Sequence, residues 1–169
     1  QYRDRIEHVC VRLLSYEGSE LSALRCLVEL NERVEAWAQC IKWYTRLMEH
    51  VDGAESETDG FLRIANYHAR SKDQSGQLDA LRSAFDSAPE SNQILDEMID
   101  LRESMSEYDE MVSLLQERIE LASDDDRVVY LDRLAQLQSN VLERPVDAIR
   151  TLEESDSDLY AHERLIQLY

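Results

Sequence analysis

Apolar residues along the chain recur in a short pattern with steps of three, one and three residues. This first template occurs five times, and its first positions are separated by 37, 34, 36 and 31 residues. Such a spacing is typical of helix-turn-helix repeats and is too long for the period of a single helix. The copies are Leu24, Leu27, Val28 and Asn31; Phe61, Ile64, Ala65 and His68; Leu95, Met98, Ile99 and Arg102; Leu131, Leu134, Ala135 and Gln138; and His162, Leu165, Ile166 and Tyr169.

A second template follows each of the first four copies and begins with an aromatic or bulky residue. Its first version is Trp37, Cys40, Ile41, Tyr44 and Leu47, and the later versions begin at Leu78, Tyr108 and Pro145. Both templates have the spacing of one apolar stripe along a helix. An isolated version of the second template stands at the start of the chain, at Tyr2, Ile6, Val9 and Leu13. The sequence therefore predicts an all-α protein of about ten helices with no strand.

The two templates alternate along the whole chain and predict a single array of helix pairs over residues 1–169. We expect a partial repeat at 1–15, repeats at about 19–50, 58–88, 91–122 and 124–155, and a partial repeat at 157–169. Because the chain begins and ends within a repeat, we interpret it as a fragment of a longer protein. Hydroxyl side chains before the apolar stripes are predicted to cap helix starts, at Ser19, Thr58, Ser91, Ser106 and Ser123.

The order of the two templates resembles the tetratricopeptide repeat (TPR) family, in the divergent form found in bacterial proteins. Copy one matches best, because Trp37 follows Leu24 by 13 residues, the family's offset between helix A and helix B. Copy three keeps this offset, whereas copy two is read with four inserted residues and copy four with one. Val28 and its equivalents replace the family's small glycine, and the repeat-ending proline is missing from its place. The resemblance implies a right-handed α-solenoid of antiparallel helix pairs; a half-a-tetratricopeptide class remains an alternative.

Composition agrees with a folded helical protein, with 43% hydrophobic residues, four Gly and two Pro. The formal net charge of −18 argues against nucleic acid and anionic membranes as partners. Acidity increases along the chain: 16 acidic and 11 basic residues precede residue 91, and 20 acidic and 7 basic residues follow. Charges interrupt every apolar run, which predicts a soluble protein. Cys10, Cys26 and Cys40 occupy apolar positions, so we expect free core thiols in a reducing, cytoplasmic compartment.

The resemblance also implies a concave groove lined by the helix A residues at offsets one, five and eight from the start of the first template. Several of these side chains are acidic and would repel a peptide carboxylate. We therefore expect a protein or peptide partner that carries Arg or Lys, while a merely solvated acidic surface is the alternative. The groove positions are Arg25, Glu29 and Glu32; Leu62, Asn66 and Ala69; Asp96, Asp100 and Glu103; and Asp132, Gln136 and Ser139.

Three aromatic residues in the second template of copy one are candidates for an anchor that holds a partner. The template assigns Trp37 and Tyr44 to the helix B core. Trp43 lies off the main stripe, and we therefore predict that it is exposed to a partner, caps a neighbouring repeat or contacts a missing segment of the parent chain.

Metal, cofactor and catalytic motifs are not found in the sequence. The pair His162 and Glu163 begins a zinc-protease pattern, but Ile166 occupies the position of the second histidine. The run Asp124–Asp126 lacks the rest of a calcium loop and is typical of a helix start. We expect a protein-interaction scaffold that is not an enzyme and needs no cofactor. The alternatives are a regulatory or assembly segment of a larger enzyme and a self-association module.

Overall fold

The computed structural model describes residues 2–16, 18–50 and 53–154, and nine α-helices without strands lie in these ranges. The chain divides into two compact units, Gln1–Pro89 and Glu90–Tyr169. Unit 1 contains α1 (Tyr2–Leu13), α2 (Glu20–Glu32), α3 (Trp37–Met48), α4 (Ala54–Ser71) and α5 (Gln74–Ser87). Unit 2 contains α6 (Asn92–Met105), α7 (Tyr108–Glu120), α8 (Asp124–Asn140) and α9 (Pro145–Glu153). The tenth predicted helix, in 157–169, lies outside the described residues.

Within each unit, every helix packs against the next helix along the chain. The first template supplies the buried face of α2, α4, α6 and α8, which are therefore the A helices of four pairs. In unit 2 its apolar positions are 3% exposed or less: Leu95, Met98, Ile99, Leu131, Leu134 and Ala135. The core cluster of unit 1 joins α2 to its neighbours through Cys10, Ala23, Leu24, Leu27, Val28, Cys40, Trp43 and Tyr67. The prediction of an all-α fold of TPR-like helix pairs is confirmed.

The turns between the two helices of the four pairs share one backbone feature, although the fourth turn is one residue longer. One residue other than glycine adopts a left-handed conformation in each turn: Glu35 (φ 57°), Lys72 (φ 61°), Ser106 (φ 59°) and Glu143 (φ 54°). The amide after each left-handed residue donates a hydrogen bond to the carbonyl of the last position of the first template. These bonds are Ala36 to Asn31, Asp73 to His68 and Glu107 to Arg102 at 3.0 Å, and Arg144 to Gln138 at 2.7 Å.

Helix B begins at a nearly constant distance from the first template. The starts of α3, α5 and α7 lie 13 residues after Leu24, Phe61 and Leu95, and that of α9 lies 14 residues after Leu131. The single insertion in copy four is therefore confirmed, but the predicted insertion of four residues in copy two is wrong. The helix α5 begins with the polar residues 74–77, so its first apolar residue, Leu78, comes one turn late.

The predicted caps were right in part. Ser123 caps α8, because its Oγ accepts a hydrogen bond from the Asp126 amide at 3.5 Å. Ser19 and Ser91 occupy N-cap positions without a capping side-chain hydrogen bond. Thr58 lies inside α4, whose polar first turn extends the helix beyond the apolar stripe, and Ser106 ends α6 instead of starting α7.

Replacing Ser106 by glycine is expected to raise the free energy of unfolding by about 0.5–1 kcal/mol. A side chain with a Cβ is disfavoured in the left-handed region, whereas glycine adopts it without steric cost. Ser106 is exposed, so the change removes little packing. Urea unfolding measures the difference. Ser113→Gly, at an exposed position within α7, is the control and should destabilise the protein by about 0.5 kcal/mol.

Candidate partner-binding faces of the two units

In unit 1, the predicted groove positions of α2 line an open cleft of about 690 Å³. Arg25, Glu29 and Glu32 form part of its wall, and Arg63 of α4 lies at the same cleft. The remaining lining residues combine apolar side chains with polar ones: Leu21, Val28, Tyr44, Leu47, His50, Ser56, Asp59 and Gly60. The cleft therefore offers apolar surface together with charges of both signs, a combination that suits a peptide side chain.

Glu32 is the centre of a hydrogen-bonded cluster between α2 and α4. Arg63 Nη2 donates to Glu32 Oε1 at 2.7 Å, and the Tyr67 hydroxyl donates a short hydrogen bond to the same oxygen. Arg63 Nε also donates to the Tyr67 hydroxyl oxygen at 2.8 Å. Burial alone disfavours the charged form, but the hydrogen bonds from Arg63 and Tyr67 lower the pKa of Glu32. The predicted groove acid Glu32 is thus engaged within unit 1.

Aromatic rings and guanidinium groups continue this cluster along α3 and α4. The Trp37 and Tyr67 rings stack with their centroids 6.2 Å apart, and Tyr44 meets Tyr67 edge-on at 5.9 Å. Arg63 lies 5.0 Å from the Tyr44 centroid, and Arg70 lies 5.0 Å from that of Trp37. Such cation–π contacts hold a guanidinium over an aromatic face.

Two other predicted groove residues of unit 1, Asn66 and Glu29, each pair with an arginine one helical turn later. Asn66 Oδ1 accepts from Arg70 Nε at 2.9 Å. Glu29 forms an exposed ion pair with Arg33, the C-cap residue of α2, at 2.5 Å. Arg33 and Arg63 thus offset Glu29 and Glu32, the two acids among the groove positions of unit 1.

The free energy of unfolding of wild type should exceed that of Glu32→Gln near neutral pH, and this difference should become smaller as the pH is lowered. The pKa of Glu32 is lower in the folded chain than its unfolded value of about 4.3, so the ionised carboxylate stabilises the fold above that value. The contribution is lost as pH falls through the lowered folded pKa, because both states then bind the proton. Urea unfolding near neutral pH should find Glu32→Gln less stable, and the difference should shrink towards pH of about 3.

Glu29→Gln is the matched control for this titration, since Glu29 pairs with the C-cap arginine of its own helix and its side chain is 64% exposed. Glu29→Gln should change the free energy of unfolding by no more than about 0.5 kcal/mol over the whole pH range. If the difference in the free energy of unfolding between wild type and Glu32→Gln grew as the pH fell, this would contradict a lowered pKa of Glu32 in the folded chain.

In unit 2, the predicted acids of α6 form a row on one helix face, which we call the acid row: Asp96, Asp100 and Glu103. One arginine of α8 serves two of them, because Arg133 Nη2 donates to Asp100 at 3.0 Å and to Glu103 at 2.7 Å. Although burial opposes the charged form, these hydrogen bonds raise the pKa of Arg133. The Asp100 and Glu103 side chains remain 70% and 56% exposed. Two exposed carboxylates therefore share a single positive charge.

Asp96, at the start of the acid row, is held by α7 and α8. Arg118 Nε of α7 donates to Asp96 Oδ1 at 3.0 Å, and the Tyr130 hydroxyl of α8 donates to the same oxygen at 2.7 Å. The Arg118 guanidinium lies 4.2 Å from the Tyr130 centroid. Arg118 is 5% exposed, so Asp96 serves chiefly to stabilise a buried cation.

Two of the three predicted positions of α8 contact each other, because Gln136 Nε2 donates to Asp132 Oδ2 at 2.8 Å. They lie one helical turn apart. Asp132 directly precedes Arg133, and Gln136 follows it by three residues.

An arginine–glutamate pair recurs at equivalent positions of the two units. Arg63 and Arg133 lie two residues after the start of their template copies, and Glu32 and Glu103 lie eight residues after the start of the preceding copies. Both pairs join successive A helices at 2.7 Å. Sequence reasoning missed the arginines, although their shared offset in the repeat alignment could have revealed them.

The predicted exposure of Trp43 is wrong. Trp43 is 8% exposed and belongs to the core cluster of unit 1 with Cys40 and Leu24. The reason is that α3 packs against both α2 and α4, so a second face of the helix is buried beside the main stripe. Trp37 and Tyr44, assigned to the core, pack against the cluster as partly buried residues. Trp43 is therefore not a surface anchor for a partner.

Across 2–16, 18–50 and 53–154, no helix is both long and apolar enough to cross a bilayer. In the same ranges, no group of three or more His, Cys, Asp and Glu side chains is arranged to hold a metal ion.

Helix pairs with a nearly constant offset and a left-handed residue in each turn define a helical-repeat fold of the tetratricopeptide type. Neither a protein-family model nor a curated protein matches the sequence. Solved structures of TPR proteins share the fold at low sequence identity. MamA superposes with a TM-score of 0.51 at 12% identity over 98% of this chain and 91% of its own. YrrB, described as a TPR protein with an unusual peptide-binding site, gives a TM-score of 0.51 at 11% identity over 98% of this chain and 84% of its own.

A third structure, a kinesin-light-chain-like protein of Podosopora anserina with nearly identical TPR-like repeats, gives the same TM-score of 0.51. Its identity is 12%, over 88% of this chain and 86% of its own. At these identities, the comparisons establish the fold of this chain.

Proposed function

We propose that the chain is a protein-interaction scaffold that binds a peptide or an extended segment of a protein. The observation that carries the proposal is the location of the predicted groove positions on the A helices. In unit 1 they line an open cleft, and in unit 2 they form a row of exposed carboxylates. YrrB, with the same fold, is described as having a peptide-binding site, and this supports the same class of ligand here.

The partner segment carries Arg or Lys and binds at the acid row of unit 2. Asp100 and Glu103 share Arg133, so one negative charge of the trio is not balanced within it. A guanidinium from a partner can form a charge-assisted bidentate contact with an exposed carboxylate at little desolvation cost. The excess of acidic residues in this half of the chain also increases the rate of encounter with a basic ligand.

Isothermal titration calorimetry with a short Arg-containing peptide tests the proposal. The variant Asp100→Asn/Glu103→Gln removes both exposed carboxylates while keeping side-chain shape. We expect about tenfold weaker binding, because two partly exposed charge contacts contribute roughly 1–2 kcal/mol together. Binding by wild type should weaken as salt is raised, since such contacts are screened.

The matched control is Glu110→Gln/Glu117→Gln, which makes the same change in net charge at exposed positions of α7. It should bind the peptide as wild type does, within about twofold, once physiological salt screens long-range attraction. If both variants bound the peptide equally weakly, the loss would be explained by the change in net charge and not by a site at the acid row. Full binding by the acid-row variant would contradict a site at Asp100 and Glu103.

A further inference from the structure

A second cleft lies in unit 2 and is lined by residues of α7, α8 and α9. Its volume of about 620 Å³ is within the range of about 300–1,000 Å³ that is usual for ligand-binding clefts. Positions 127, 131, 134 and 138 of α8 recur at steps of four, three and four residues, so they share the helix face that lines this cleft. Arg133, which reaches the acid row, lies on a different face of α8. The cleft is therefore separate from the acid row.

Arginines are concentrated at this cleft, although acidic residues outnumber basic ones by 20 to 7 after residue 90. Arg127, Arg144 and Arg150 all line it. Arg144 pairs with Asp109 at 2.9 Å. Arg127 Nη1 donates to the backbone carbonyl of Ile119 at 3.3 Å. In the part of the chain that the structure describes, neither Arg127 nor Arg150 is paired with a carboxylate. Two guanidinium groups at one cleft thus lack an acidic partner in a strongly acidic unit.

A buried amide adds an unused hydrogen-bond donor to the same cleft. Gln138 is 7% exposed and lines the cleft from α8. Its Oε1 accepts a hydrogen bond from the Thr151 hydroxyl at 2.8 Å, whereas its Nε2 has no partner among the described residues. Buried amides normally have their donors satisfied. Because guanidinium groups and an amide nitrogen can only donate, the group that completes this cleft is an acceptor, and a carboxylate forms the strongest such hydrogen bonds.

The acidic residues of the cleft do not satisfy these donors. Glu120 and Glu154 are exposed, and Asp147 is half-buried in the first turn of α9. Within the described residues, none of these acids forms an ion pair with either unpaired arginine. Asp147 lies three residues before Arg150, close enough along the helix to compete with a ligand carboxylate for it. Removal of the Asp147 charge is therefore expected to favour an acidic ligand.

We propose that this cleft is a second binding site of the chain, and that it takes an extended protein segment carrying Asp or Glu side chains. Arg127 and Gln138 are 11 residues apart on α8, which is about 16 Å at a rise of about 1.5 Å per residue. An extended segment covers this distance with about five residues. Arg150 adjoins Thr151, which contacts Gln138, so a segment with carboxylates at both ends meets Arg127 at one end and Arg150 at the other. This site selects the charge opposite to that selected by the acid row.

The test is calorimetric titration of the full chain, at physiological salt, with the blocked peptide acetyl-Glu-Gly-Leu-Gly-Glu-amide. Its ends are uncharged, so only side-chain carboxylates can bind the arginines. We expect the same peptide with Gln in place of Glu to bind about tenfold more weakly. Arg127→Gln and Arg150→Gln should each weaken binding of the Glu peptide about fivefold, whereas Asp147→Asn should strengthen it about twofold. Arg150 is exposed, so its replacement leaves the fold intact.

Two control variants separate this site from net charge and from the acid row. Arg82→Gln makes the same change in charge at an exposed position of α5 in unit 1. It should bind the Glu peptide as wild type does, within about twofold, since physiological salt screens distant charges. Asp100→Asn/Glu103→Gln should also bind it within about twofold or more tightly, because the acid row lies outside the cleft. The acid-row proposal can therefore fail without affecting this one.

Three results would overturn the proposal. The first is no binding of the Glu peptide by wild type at millimolar concentration. The second is equal affinity for the Glu and Gln peptides, which would show that carboxylates are not recognised. The third is a loss with Arg82→Gln as large as that with Arg150→Gln, which would assign the effect to net charge.

Discussion

Leu95→Ala is expected to lower the free energy of unfolding by about 2–5 kcal/mol, the largest effect of the single changes considered. Leu95 is 0% exposed on α6 and is the first residue of its template copy. The substitution removes apolar contacts and leaves a cavity that the surrounding helices fill only in part. Urea unfolding, followed by circular dichroism, measures the loss.

Equivalent positions of the other copies should behave in the same way. Leu24 and Leu131 are 0% and 2% exposed, so their replacement by alanine should cost a similar amount if the repeats are structurally equivalent. Leu21→Ala on α2 is the control, because Leu21 is 42% exposed and should cost less than about 1 kcal/mol. A Leu95→Ala loss no larger than that of Leu21→Ala would contradict the assignment of the template to the core.

Arg118→Ala is expected to destabilise the chain by about 3 kcal/mol. The side chain is 5% exposed, and it connects α7 to Asp96 of α6 and to the Tyr130 ring of α8. Its removal costs a charge-assisted hydrogen bond, a cation–π contact and the packing of the aliphatic stem. The remaining Asp96 is 39% exposed, so water can solvate its charge and the loss stays below that of a fully buried pair.

Arg118→Met separates packing from charge, because it keeps a stem of similar length without the guanidinium. It should lose less stability than Arg118→Ala, and adding Asp96→Asn should recover part of the difference. Thermal unfolding of the three variants gives the comparison. If Arg118→Ala changed the stability by less than about 0.5 kcal/mol, the buried pair would not be part of the unit 2 structure.

Much of the fold could be predicted from apolar spacing, since burial of one helix stripe requires residues such as Leu24 and Leu95 at regular intervals. The error in copy two arose where helix boundaries are polar. Gln74 begins α5 one turn before the apolar residue Leu78, and no periodicity marks that turn. The left-handed residue Lys72 at the preceding turn carries no sequence signal either, because it is not a glycine.

The candidate site was less predictable, because it depends on long side chains that reach between helices. The offset of eight located Glu32 and Glu103, but their pairing with Arg63 and Arg133 depends on the packing of successive A helices. The templates described apolar positions only and gave these arginines no role. Trp43 was misplaced for a related reason, since a stripe on one helix does not show how many neighbours cover it.

The most direct test of the proposed function is nuclear magnetic resonance of the amide-labelled chain during titration with the Arg-containing peptide. The scaffold proposal predicts that the largest shift changes lie at the acid row, in residues 96–103, and in the adjoining stretch 132–136 of α8. Changes confined to α7 and α9, or uniform changes that disappear at physiological salt, would contradict a basic-segment site on the A helices of unit 2.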